Sequence, residues 1–174
     1  HKMLEAGKVK QIDEETYVAM YTELIDQLTS HGYEHYEISN FAKHGYRSIH
    51  NSSYWHDVPY LGFGASAHSY NGKRRLWNID NLQEYIMSVE QGVLPAEYED
   101  IDADTHYNDL VTTALRTCEG LDLSMLPNEY REYALKSASY SLSNNNIELC
   151  DNHLRLTRKG LFVSDLIMSD LIKV

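Results

Sequence analysis

Cysteine is scarce in this chain, with two among 174 residues, Cys118 and Cys150. Two thiols so far apart cannot form a short-spaced thiolate cluster, and they read as buried or half-buried apolar thiols in a reducing cytoplasm. Long apolar runs are also missing. None approaches the ~20 residues that span a bilayer, and no signal peptide is visible, so a transmembrane segment is not expected. Positive charge is in deficit, with 15 Lys and Arg against 26 Asp and Glu and a net charge of −11. That balance argues against nucleic acid as a main partner, because phosphate binding needs a basic surface. What remains is an ordinary mixture with 43% hydrophobic residues, sufficient for one good core and a fragment of another.

Against these shortages stand fourteen tyrosines and one stretch unlike a solvated loop. From His50 to Tyr70 the chain reads H-N-S-S-Y-W-H-D-V-P-Y-L-G-F-G-A-S-A-H-S-Y. Aromatic side chains left in water forgo their burial free energy, so a stretch this rich in rings is built into something. Two readings stand. Either the rings fill a core, or histidine, ring and glycine together form a wall where backbone approaches a flat or bulky ligand.

Along the chain, the first dozen residues read as a loose connection. Asp13 is a plausible N-cap, with Glu14 and Glu15 near the positive end of the helix dipole. Tyr17, Met20, Tyr21, Leu24, Ile25 and Leu28 recur at helical spacing, and Gly32 is a good stop. Tyr33–Ile38 alternates as a strand, and a second strand is expected over Tyr60–Gly64. Helix, glycine stop and strand is the beat of an α/β barrel, whose chemistry sits at the C-terminal strand ends. Asn71-Gly72 is a turn, and Leu82, Tyr85, Ile86 and Val89 mark a helix from near Asp80 to Gly92.

Lys73-Arg74-Arg75 is a solvated turn or a contact to propionates or another anion. The acidic run from Glu97 reads as a solvated linker and helix start rather than a metal site. Beyond it, Ala103, Tyr107, Leu110, Val111, Ala114, Leu115 and Cys118 share one helical face ending at Gly120. A second helix over Glu129–Leu142, a hairpin turning at Asp151-Asn152 and a last helix capped by Thr157 follow. That order suggests a small winged-helix-like domain.

The ordered elements Tyr36-Glu37-Ile38-Ser39-Asn40-Phe41-Ala42, Gly45-Tyr46, His50-Asn51-x-x-Tyr54-Trp55 and Tyr60-Leu61-Gly62-Phe63-Gly64-Ala65-x-Ala67-His68-Ser69 closely resemble the radical S-adenosylmethionine (SAM) proteins related to oxygen-independent coproporphyrinogen III oxidase. H-N-x-x-Y-W resembles in particular the haem-chaperone branch called HemW. Leu115–Gly120 and Leu154–Gly160 look like that family's C-terminal region. The resemblance implies an α/β fold: the last elements of a partial radical SAM (β/α) barrel in 1–72, a connecting helix and acidic linker in 73–100, and a small α+β winged-helix-like domain in 101–174. The family's C-x-x-x-C-x-x-C motif, whose thiolates hold a [4Fe–4S] cluster, is absent. With its opening at His1-Lys2-Met3, the chain is therefore expected to be the C-terminal part of a longer protein.

The resemblance makes His50, Asn51, Tyr54 and Trp55 a haem-associated motif, with His50 the best axial ligand of haem iron and His44, His56 and His68 weaker ones. A hydrogen-bonded loop histidine is the competing reading of His50. Phe41, Ala42, Gly62, Gly64, Ala67 and His68 fall on the SAM side. No residue is assigned as catalytic in this chain. Three functions stay open: haem handling and transfer to an acceptor protein, decarboxylation of coproporphyrinogen III by a radical route, or docking of a partner without catalysis. A cytoplasmic location is expected for each.

Overall fold

The structure, a computed structural model, describes residues 2–174; His1 lies outside them. The chain divides into two compact units, residues 1–47 and 48–174.

The first unit holds helices α1 (Lys2–Glu5) and α2 (Glu14–Ser30) and strands β1 (Tyr33–Glu37) and β2 (Asn40–Lys43). Asp13 caps α2 as its sequence suggests, accepting the Thr16 N–H at 2.7 Å, and Gly32 turns the chain with φ +80°. β1 then pairs with β2 as an antiparallel hairpin. The apolar stripe of α2 is only partly covered: Ile25 is buried, but Tyr17 and Met20 are 57% and 60% exposed.

The second unit begins with α3 (Ile49–Trp55), followed by β3 (His68–Tyr70), β4 (Arg74–Asn78), α4 (Leu82–Glu90) and β5 (Ala96–Asp100). β3, β4 and β5 form an antiparallel sheet in that order. Asn71-Gly72 makes the β3–β4 turn, with Asn71 Oδ1 accepting from the Lys73 and Arg74 amides at 3.0 and 2.8 Å. Two expectations are corrected here. Tyr60–Gly64 is not a strand: Tyr60 alone bridges Tyr70, because Gly62 and Gly64 give the segment no side chains to pack on a pleated face. The first part of the acidic run is a strand and not a linker, since β5 lies opposite the basic residues of β4, pairing Arg74 with Asp100 and Arg75 with Glu99 in register, while Asp102 and Asp104 open the following helix as expected.

The rest of the chain is α5 (Ala103–Ala114), β6 (Leu121–Asp122), α6 (Asn128–Ser137), α7 (Ser139–Ser143), β7 (Ile147–Cys150), β8 (His153–Leu156), a 3₁₀ turn over Gly160–Val163 and α8 (Ser164–Leu171). Its sheet order, β6-β8-β7, with helices before and between the strands, is the winged-helix arrangement. The mixed α/β class is as expected, although all strand pairs among the described residues are antiparallel. The hairpin turns at Asp151-Asn152, both left-handed with φ +50° and +66°, as a tight two-residue loop requires. The expected helix over 129–142 breaks at Ala138 into α6 and α7. Both cysteines are exposed, contrary to the apolar-thiol reading: Cys118 lies in the turn after α5 and Cys150 at the end of β7.

The core of this part is continuous. Tyr107, Val111 and Leu115 of α5 and its C-terminal end meet Leu121, Leu123, Ala134, Ile147, Leu154, Ile167 and Leu171, all 2% exposed or less. Tyr107 also donates its hydroxyl to the Leu171 carbonyl at 3.0 Å, fixing the end of α8 to α5.

Two predictions follow from burial. Leu154→Ala, at a fully buried position, should cost about 2–5 kcal/mol in urea denaturation, and Leu149→Ala, half exposed one strand away, under about 1 kcal/mol. Amide exchange should be faster in residues 14–43 than in 103–171, since the first unit buries Ile25, Tyr36 and Ala42 where the second closes a full core. Equal protection in the two stretches would contradict this.

Candidate functional site

The site is built on α3. Ser48 caps it, accepting the Asn51 N–H at 3.2 Å, so H-N-S-S-Y-W becomes two short helical turns. Residues four apart share a helical face, and the Tyr54 hydroxyl therefore meets His50 Nε2 at 3.2 Å. The His50 and Tyr54 rings stand edge to face, 5.0 Å apart. Both side chains are exposed, while Asn51 and Trp55 are half-buried. The imidazole is thus hydrogen-bonded and outward-facing at once, so the two readings of His50 do not compete.

From Tyr54 the aromatic contacts run inward. Tyr54 stands edge to face on Tyr60 at 4.7 Å, and Tyr60 lies 6.1 Å from Tyr70. The backbones of Tyr60 and Tyr70 exchange two hydrogen bonds of 2.9 Å. Tyr70 is buried and donates its hydroxyl to Asp57 Oδ1 at 2.5 Å. The other oxygen of Asp57 meets His106 Nε2 of α5 at 2.8 Å. Burial first, and then the bond to the Asp57 carboxylate, push the Tyr70 phenol well above its ordinary pKa. Burial also raises Tyr60.

These rings and carboxylates, with Arg75, Asp109, Leu110 and Thr113, line a cavity of about 180 Å³. That is below the ~300–1,000 Å³ of pockets that enclose drug-sized ligands, so it would not swallow a porphyrin.

The remaining expected residues spread more widely. Phe41 and Ala42 belong to the first unit, where Phe41 stacks on His35 at 4.3 Å and Ala42 is buried. Beside them, buried Glu37 accepts the Ser39 amide at 2.9 Å and the Asn40 side-chain amide. Gly62, Gly64, Ala67 and His68 are brought together in the second unit. A Cβ on Gly62 would fall 2.1 Å from the His68 carbonyl oxygen, so glycine there permits close approach of the protein's own backbone. Gly64, at φ +102°, accepts the Asn78 side-chain amide at 2.8 Å and donates its N–H to the Tyr85 hydroxyl at 3.2 Å. His68 is exposed beside Trp77, His44 pairs with Glu34 at 3.0 Å, and His56 Nδ1 bonds the Ser52 carbonyl at 2.7 Å.

The anion-contact reading of the basic cluster is corrected for its arginines. Arg74 pairs with Asp100 at 2.7 Å and lies over the Tyr98 ring, while Arg75 bridges Glu99 at 2.9 Å and Asp109 at 2.6 Å. Residues that sequence reading passed over are Asp57 and His106. They are 49 positions apart, and neither sits in a local pattern; the only sign at Asp57 is its place just after α3, where it takes φ +55°.

No cluster site accompanies these groups. Cys118 and Cys150 cannot supply the three thiolates of a [4Fe–4S] centre, and no grouping of three metal-ligating side chains occurs among the described residues. No helix of the described residues is long and apolar enough to cross a membrane.

A winged-helix module joined to a ring-rich α/β segment is what one solved structure shares with the chain. The E. coli coproporphyrinogen III oxidase HemN, a radical SAM enzyme, superposes with a TM-score of 0.68 at 19% identity, covering 95% of this chain and 44% of that one. No protein-family model matches. Among curated relatives, the haem chaperone HemW of Bacillus subtilis is 30% identical over 131 residues, 75% of this chain and 35% of its own length. That of Mycobacterium tuberculosis is 29% identical over 168 residues, 95% of this chain and 42% of its own. A shorter match joins the mitochondrial radical SAM domain-containing protein 1 of Bos taurus, 40% identical over 65 residues. The chain belongs to the HemW/HemN-like radical SAM family, and it spans 35% and 42% of the length of these two HemW relatives.

The raised pKa of Tyr70 has a testable sign. Its folded value lies above the unfolded value of about 10, so the neutral phenol stabilises the fold fully below pH ~10, and this is lost as pH rises through the folded value. Tyr70→Phe should cost about 1 kcal/mol at pH 7, and the gap from wild type should narrow by pH 10.5 in urea titrations. A gap independent of pH would refute this role.

Proposed function

We propose that this chain is the C-terminal portion of a HemW-like protein and that it handles haem as cargo on α3. The observation that carries the reading is the state of His50. Its Nε2 is met by Tyr54, and among the described residues its Nδ1 has no hydrogen bond. Histidines that bind metal commonly donate the second ring N–H to a partner that fixes the tautomer and ring orientation. With Nε2 donating to the tyrosine oxygen, Nδ1 keeps the lone pair that an iron needs.

Tyr54 and Trp55 would give ring contact to the macrocycle, and Asn51 would complete the motif. Phe41, Ala42, Gly62, Gly64, Ala67 and His68 would face SAM in the parent protein, whose [4Fe–4S] cluster must be held outside this chain. The domain division at 72 and 100 belongs to the same reading, as does transfer of haem to an acceptor protein. A cytoplasmic setting suits two exposed free thiols. The fold likeness to coproporphyrinogen III oxidase favours one second reading, a parent that decarboxylates porphyrinogen. The two differ in outcome, since an oxidase consumes coproporphyrinogen III and a chaperone binds haem without turnover.

In the full-length protein, His50→Ala should weaken haem binding by about tenfold or more, read from the Soret band during titration, while His153→Ala on the β7–β8 hairpin should leave it unchanged. Equal affinity in wild type and His50→Ala would remove His50 as a ligand.

A further inference from the structure

We infer that Asp57 is a positioning residue through which the winged-helix module sets how His50 is presented; its meaning for haem rests on the reading above. Asp57 follows α3 closely and takes a left-handed backbone conformation, φ +55°, uncommon for non-glycine residues though one that Asp tolerates better than most. Its side chain is tied on both sides. One oxygen receives the Tyr70 hydroxyl from β3, and the other meets His106 Nε2 of α5. A single carboxylate thus ties the C-terminal end of the motif helix to the small sheet and to the module's first helix.

From that anchor, continuous contact leads back to the imidazole. Tyr70 touches Tyr60, Tyr60 touches Tyr54, and the Tyr54 hydroxyl meets His50 Nε2. Nothing else in the described structure fixes His50 Nε2. Were Asp57 unable to accept, the Tyr70 ring would lose its polar anchor and the 57–60 segment its tie to β3 and α5. Tyr54 would then lose the ring it leans on. The consequence for His50 is a freer imidazole, with both tautomers populated and no preferred donor at Nε2.

The test uses the full-length protein with selectively ¹⁵N-labelled histidine and no haem, the His50 signals being those missing from His50→Ala. In Asp57→Ala the His50 Nε2 and Nδ1 resonances should move toward those of a freely exchanging imidazole. Asp57→Asn should restore them largely, because its amide oxygen still accepts from Tyr70, and His153→Ala should leave them in place. His50 resonances unmoved in Asp57→Ala, or moved as far in Asp57→Asn, would overturn the inference, the second outcome because it shows mere disruption of the loop. Haem titration supplies the functional arm. Asp57→Ala should weaken binding about tenfold in the wild-type background and by much less in His50→Ala, where only the Tyr54 ring contact is left to disturb. An equal loss in both backgrounds would overturn the positioning role. Wild-type affinity in His50→Ala would instead sink the haem reading, and moved resonances would then still support the positioning of His50.

Discussion

Helix α5 has two working faces, and the arrangement of residues 48–174 depends on both. Tyr107, Val111 and the following Leu115 recur every four positions and are sealed in the winged-helix core. His106, Asp109 and Thr113 form the neighbouring stripe, which receives Asp57 from the segment after α3 and Arg75 from β4. An ordinary amphipathic surface helix turns its second face to water. Here that face is polar and occupied, which is why a helix with a tyrosine and several threonines at its heart can serve as a joint. The apolar face supplies most of the stabilisation, by burial; the polar face supplies direction, because carboxylate bonds to a guanidinium or an imidazole have a narrow geometry.

The same division places some of the acids. Glu99 and Asp100 of β5, with Asp109 of α5, are the partners of Arg74 and Arg75, and the register of β4 on β5 sets the two β5 pairs, while Glu97 accepts from the Trp77 indole. Burial by itself would make the Arg75 charge less favourable, and Asp109 and then Glu99 more than offset it. Isolated pairs at a surface contribute little, but a guanidinium shared between two carboxylates of different elements restricts how those elements sit.

What was legible in the sequence was whatever is encoded over a few adjacent residues. The Asp13 cap, the Gly32 stop, the Asn71-Gly72 turn, the Asp151-Asn152 hairpin and the inward face of α5 are all of that kind. What escaped was set by partners far along the chain. β5 looked like solvated linker because charge suggests exposure, and only its pairing with β4 makes it a strand. Tyr60–Gly64 looked like a strand because of its apolar residues, yet its glycines leave it an irregular segment pinned at Tyr60. In the candidate site, the H-N-S-S-Y-W face was readable from helical spacing once a helix was granted. Asp57 and His106, which anchor it, meet only through tertiary structure.

The packing at Gly62 bears on how substitutions along this loop would sort in a saturation library. The position admits no side chain, since the His68 carbonyl occupies the space a Cβ needs. Its neighbours Leu61 and Phe63 are 71% and 83% exposed and carry no such restriction. A screen that scores only folding would therefore show one invariant column between two permissive ones. Any further intolerance at Leu61 or Phe63 in a screen that scores activity would report contact with something outside the folded chain, so the glycine acts as an internal standard for telling architectural constraint from functional constraint.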